Sequence, residues 1–216
     1  MVLKYYGLQC GMWFPIKFSQ ALGYSLLLCS LGMGSRVARA DTWNLPSPIN
    51  DSNTSVSFVL ESTWNTINGT TKDLGGSITL KDKKDPLSIV VDLTIKVQTI
   101  DTDWDDRDET LQECMAADQY PTVSFTSQRL SDNCKPSVID ISGRCSGNLT
   151  GILTIRDVTK EVILPVEITK DLDSYRIKGT LPLQWAEYNI EDPSILIVQL
   201  DRTVNISYET IVPLKH

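Results

Sequence analysis

Apolar and polar residues alternate along most of this chain with a period of two. From Leu87 to Val97 the residues Leu87, Ile89, Val91, Leu93, Ile95 and Val97 fall on one side, and Ser88, Asp92, Thr94 and Lys96 on the other. Val90 is the single exception. This period marks a strand with one buried face. The same pattern recurs at Val56, Phe58 and Leu60; at Leu149, Leu153 and Ile155; and at Val162, Leu164, Val166 and Ile168. Tyr175, Ile177 and Leu181 repeat it, as do Val204, Ile206 and Tyr208. Shorter copies are Ile78 with Leu80, Val123 with Phe125, and Ile139 with Ile141.

Turn residues punctuate these runs: Asn68-Gly69, Gly75-Gly76, Asp82 to Pro86, Asp132 to Pro136, Gly143, Gly147, Arg156-Asp157 and Asp171 to Ser174. Short strands at such spacing predict a sandwich or a barrel, hence an all-β fold. One helix is expected, from Asp105 to Ala117, with an acidic first turn followed by Leu111, Cys114 and Met115 at spacings of three and four. Pro121 follows it.

The first forty residues stand apart. Lys4 and Lys17 precede an apolar run from Ala21 to Leu31, and Ala38-Arg39-Ala40 comes just before Asp41. A basic start, a short apolar stretch and an A-x-A site form the pattern of a cleaved secretory signal. The run is too short for a membrane-spanning helix, which needs about 20 apolar residues. Cleavage after Ala40 predicts one domain over residues 41–216. It removes four basic residues and no acid, leaving 16 basic against 27 acidic and a net charge of −11. Such a surface repels nucleic acid, whose binding rests on clustered Lys and Arg.

Export changes the reading of the cysteines, because an oxidising compartment favours bridges. Cys114, Cys134 and Cys145 remain after cleavage. Cys134 with Cys145 is the favoured pair, since the two flank one short strand and Cys114 falls in the helix. A bridge from Cys114, or none, is the alternative.

Catalysis finds little support. The only histidine is His216, so a Ser or Cys nucleophile lacks its usual base. Gly143-Arg144-Cys145-Ser146-Gly147 has the outline of a nucleophile elbow, but its cysteine is the better disulfide partner. No zinc spacing exists. The run from Asp101 to Gln112 places acids at the first, third and fifth positions of a calcium loop. Asp106 replaces the glycine at the sixth, and Gln112 the glutamate at the twelfth, so no metal is expected. Asn-x-Ser/Thr sites at Asn53, Asn68, Asn148 and Asn205 need no more than chance in a chain this rich in Ser and Thr.

Five ordered motifs resemble the YceI-like family, exported lipid-binding proteins with a lipocalin-like barrel. They are Ser55-Val56-Ser57-Phe58; Ile100-Asp101-Thr102 with Arg107 to Leu111; Tyr120-Pro121 with Phe125-Thr126-Ser127; Gly151 to Lys160 with Leu164-Pro165-Val166; and Tyr188 to Ser194. The chain departs from the family pattern at Asn53 and Ser62, where a histidine is often found. It also departs at Asp157, which stands where the hairpin glycine falls, and in an insertion carrying Cys134 and Cys145.

The resemblance implies an eight-stranded antiparallel barrel with one short helix, binding an isoprenoid or fatty-acyl chain. No cofactor and no enzyme activity are implied, and a homodimer is compatible with the reading. Phe58, Leu93, Ile95, Phe125, Leu153, Ile155, Leu164 and Tyr175 are the expected lining. Gly151 and Gly179, on the apolar parity of their strands, either leave room for a tail or mark a bulge or a close backbone approach. Arg107 at the barrel mouth either meets an anionic head group or pairs with Asp108 or a neighbouring acid. The alternative function is a protein-interaction barrel filled by its own side chains.

Overall fold

The computed structural model describes residues 45–82, 84–194 and 199–214; the expected signal segment, residues 1–40, lies outside them. The fold is all-β. Its strands are β1 (Ser47–Ile49), β2 (Thr54–Ser62), β3 (Thr66–Thr71), β4 (Leu74–Leu80), β5 (Ile89–Lys96), β6 (Ile100–Asp101), β7 (Thr122–Leu130), β8 (Arg144–Ile155), β9 (Val158–Lys170), β10 (Ser174–Gln184) and β11 (Leu200–Pro213). Two helices, α1 (Asp105–Cys114) and α2 (Pro136–Ser142), lie between β6 and β7 and between β7 and β8.

Eleven strands replace the expected eight because three lanes of the sheet are interrupted. β1 pairs with β4 and β2 with β3 (Ser47↔Ile78, Ser57↔Thr70), so β1 and β2 run in line along the same neighbour. β3 and β4 in turn share β6 and β5 as partners (Thr71↔Ile100, Leu74↔Ile95). The joints are the turn Asn50–Asn53, the Lys72-Asp73 kink and a 3₁₀ turn at Val97–Thr99. Taken as lanes, β1/β2, β3/β4, β5/β6 and β7 to β11 form a ring of eight antiparallel neighbours, closed by β11 on β2 (Thr210↔Thr54).

Several turn assignments move. Asn68 and Gly69 lie inside β3, opposite Val59 and Phe58, and the β2–β3 turn falls at Thr63–Asn65 instead. Gly75 and Gly76 lie inside β4. There Gly76 has φ 151° and backs onto the Asp92 carbonyl, where a Cβ would collide. The left-handed residue at that kink is Asp73, with φ 62°. Gly147 is within β8. In the β8–β9 hairpin the positive φ belongs to Arg156 (54°), not to Asp157.

The segment read as a short strand around Ile139 and Ile141 is α2. Pro136 starts it and Gly143, at φ 71°, ends it. Ile139 is fully buried and Ile141 is exposed, as one face of a single-sided helix requires. Cys134 and Cys145 bracket this helix and are bridged, with Cα atoms 5.4 Å apart. Cys114 is free.

Candidate functional site

Alternation along each strand aims one set of side chains into the ring. At the end where β4 leaves for β5 and β7 leads to α2, these fill the space: Ile78, Tyr175 and Val212 are fully buried there. Above that plug the interior opens into two chambers. The far chamber, about 160 Å³, is lined by residues including Ile89, Val91, Leu93, Phe125, Leu149, Leu164 and Leu181. The mouth chamber, about 240 Å³, is lined by Phe58, Leu60, Ile67, Leu183, Trp185, Val204 and others. Val56, Ile95, Val123, Ile155 and Ile206 border both, so the two chambers meet at this ring of β2, β5, β7, β8 and β11 residues.

Helix α1 lies along the mouth chamber. Arg107, Thr110, Leu111 and Cys114 line it, a spacing of three and four that puts them on one helical face. Thr102, just before the helix, is almost wholly buried. Its backbone N–H donates to Asp108 Oδ1 at 2.9 Å, and its hydroxyl also donates to that oxygen. Arg107 Nε donates to the Thr102 hydroxyl at 2.8 Å, and a second guanidinium N–H donates to the Thr102 carbonyl. The guanidinium sits 5.5 Å from the Trp104 ring centroid. Thr102 thus stands between Arg107 and Asp108 where a direct ion pair was the expected alternative. Among the described residues Arg107 has no carboxylate in ion-pair contact.

The rim also carries an acid and a second arginine. Glu191 lines the mouth chamber, and its N–H donates to the Cys114 carbonyl at 3.3 Å. Arg156 donates to the same carbonyl at 3.1 Å, also donates to the Asn189 carbonyl, and lies 5.8 Å from the Tyr120 ring centroid. Burial, and then the charges of Glu191, Glu113 and Asp192, push the Cys114 thiol above its ordinary range. Of the carboxylates tested as a calcium loop, Asp101 is engaged elsewhere: it pairs with Lys72 at 2.8 Å and accepts the Asp103 N–H at 2.9 Å.

Most of the expected lining comes together. Leu93, Phe125, Leu153 and Leu164 face the far chamber, Phe58 and Arg107 the mouth, and Ile95 and Ile155 the junction. Tyr175 does not line either chamber; it belongs to the plug. The room beside Gly151 is taken by the Phe125 ring, and that beside Gly179 by Tyr208 and the Pro165 carbonyl. Gly69 is covered by Phe58 in the same way. Val56, Val91, Leu181 and Ile206 also line the chambers without having been expected there, although they lie on the apolar parity, the signal that could have found them. Trp185, whose Nε1–H donates to the Asp201 carbonyl at 2.7 Å, lies in a 3₁₀ turn outside any alternation.

The chain matches known proteins in sequence and in fold. The UPF0312 protein plu2095 of Photorhabdus laumondii is 34% identical over 102 residues, covering 46% of this chain and 47% of that protein. Protein YceI of Escherichia coli is 32% identical over 102 residues, covering 46% of this chain and 48% of its own length. The matched stretch thus spans about half the length of these curated relatives.

Among solved structures, Burkholderia cenocepacia BcnA aligns with a TM-score of 0.61 at 20% identity, over 73% of this chain and 95% of its own. A polyisoprenoid binding domain from Saccharophagus degradans aligns at 0.60 and 12% identity, over 78% and 98%. At these identities the likeness is one of fold. The model of the YceI-like domain matches residues 48–211, and the chain belongs to that family.

Proposed function

We infer that this chain binds and carries a long apolar lipid, an isoprenoid or fatty-acyl chain, inside the barrel, and that it acts after export to the periplasm or beyond. The observation that carries the reading is the pair of joined, hydrocarbon-walled chambers. Each buried CH₂ of a ligand would contribute about 0.8 kcal/mol, so a long chain needs few polar contacts. Arg107, tied to Thr102 and without a carboxylate partner among the described residues, supports a donor role toward a polar head at the mouth. The family membership and the polyisoprenoid-binding fold neighbour support the same ligand class. The secretory pattern before Asp41 and the Cys134–Cys145 bridge support export.

The reading assigns no reaction. Among the described residues, Glu209 is the acid bordering the far chamber and has its carboxylate engaged by Arg176, and Glu191 is the acid lining the mouth. Native mass spectrometry of gently purified protein tests the proposal. An adduct with the mass of an isoprenoid or fatty acid is expected. A clean unliganded mass, together with no uptake of prenyl lipids or fatty acids, would leave the barrel as an interaction module and refute carriage.

A further inference from the structure

The ring has a weak seam. β10 is paired with β11 along its whole length, from Ser174 to Gln184, and β9 is paired with β8 from Val158 to Thr169. Between β9 and β10, however, the ladder runs only from Tyr175↔Lys170 to Lys178↔Glu167 and then stops. Both strands continue past that rung towards the mouth.

Two prolines explain the stop. Continuing the register would set Pro165 opposite Thr180 and Pro182 opposite Ile163. The Pro165 carbonyl accepts the Tyr208 hydroxyl across Gly179, so its polar edge faces β10. By the period of two, Pro182 then turns its polar edge to β9. Neither proline has an N–H to donate, so two rungs cannot form. Side chains hold the seam instead. Lys160 pairs with Glu187 at 2.7 Å near the mouth, and Tyr208 spans the middle.

Tyr208 also separates inside from outside. It borders the far chamber and, with Pro165 and Thr180, an outer hollow of about 640 Å³. Opposite it stands Gly179, whose missing side chain lets the phenol reach β9. Burial holds that phenol far above its ordinary range, so it stays a neutral donor. The seam can part without breaking any rung on the outer edges of β9 or β10.

We propose that the β9–β10 seam is a lateral portal latched by Tyr208, through which an apolar ligand passes between the outer hollow and the cavity. The proposal rests on the lipid-binding reading above. The far end is plugged and α1 lies along the mouth, whereas the middle of the seam is latched by the Tyr208 hydrogen bond, with Lys160 (on Glu187 and 5.3 Å from the Tyr188 ring) and the Arg156–Asn189 contact closing its mouth end.

Stopped-flow fluorescence with N-phenyl-1-naphthylamine, a neutral apolar probe, tests it on the intact chain. Tyr208→Phe keeps the ring and removes the latch; uptake and release should both quicken by about fivefold, the size expected for one hydrogen bond. Pro165→Val with Pro182→Val returns two donors to the seam. It should protect both new amides from hydrogen exchange and slow both rates by about tenfold. Protected amides with unchanged rates overturn the portal. If the amides stay unprotected, Tyr208→Phe decides alone, and rates unchanged by it overturn the portal. Absence of saturable uptake by the unaltered protein refutes lipid binding itself, and the portal with it.

Discussion

Reducing the Cys134–Cys145 bridge should cost this protein a large part of its stability. The bridge closes a loop across a sequence separation of 11. In the chain-entropy account, a loop of that length constrains the unfolded state by about 2.8 kcal/mol at 25 °C. What it constrains has little support of its own. α2 has seven residues, too few to persist alone, and only Ile139 is fully buried. Cys134 is itself completely buried, so the thiols gain no hydration in the folded state on reduction. For a chain of this size, each kcal/mol moves the melting temperature by roughly 2–4 °C, which gives roughly 6–11 °C in all. The assay is a pair of thermal melts, oxidised and fully reduced, with free thiols counted before each. Cys114 contributes one thiol to both and cancels. Melts that coincide within about 2 °C would refute the reasoning, since the loop entropy predicts several times that shift.

Three further outcomes follow from the site and the surface. Ile95→Trp, at the junction of the two chambers, should block the passage between them. It should weaken binding of a C20 isoprenoid more than that of a C10 isoprenoid in a fluorescence competition titration. The Cys114 thiol, held protonated by burial and acidic neighbours, should alkylate with iodoacetamide more slowly at pH 8 than free cysteine, and more slowly again when the mouth chamber is occupied by lipid. Asp85 is held below its ordinary range by the Leu87 N–H and by Arg129, and Asp101 by Lys72 and the Asp103 N–H. A depressed folded value stabilises above the unfolded carboxylate pKa of about 3.9 and is lost as pH falls through the folded one, so melting temperature should hold from pH 7 to 5 and fall below about pH 4.

The strands that bury one face against hydrocarbon were legible, because period two survives wherever one side is wet. That is why β5, β8, β9 and β11 and most of the cavity wall could be read directly. β1, β3 and β6 could not. Each is short, and β3 carries Thr66, Asn68, Thr70 and Thr71 with only Ile67 as a large apolar residue. Asn68-Gly69 has the chemistry of a turn, and only the Phe58 ring lying over Gly69 shows why glycine suits a strand there. The glycines misled for the same reason. Gly151 and Gly179 do mark missing volume, but an aromatic on a neighbouring strand fills it, and sequence spacing does not report cross-strand diagonals. α2 was hidden because one buried isoleucine and one exposed isoleucine two residues apart imitate alternation. The Thr102 link between Arg107 and Asp108 depends on where the chain turns into α1, which no residue pattern specified.

Ring closure has a consequence for when this protein can fold. Seven of the eight contacts between lanes join neighbours in sequence, but the last joins Thr54 to Thr210, whose hydroxyls lie 2.8 Å apart across a separation of 156 residues. Until β11 exists, β2 has an unpaired edge and the hydrocarbon interior faces water. A nascent chain therefore cannot complete its barrel during synthesis, at about 5–20 residues per second, until β11 has emerged. Under the export proposed above, that delay would keep the chain threadable, with β11 as the timer.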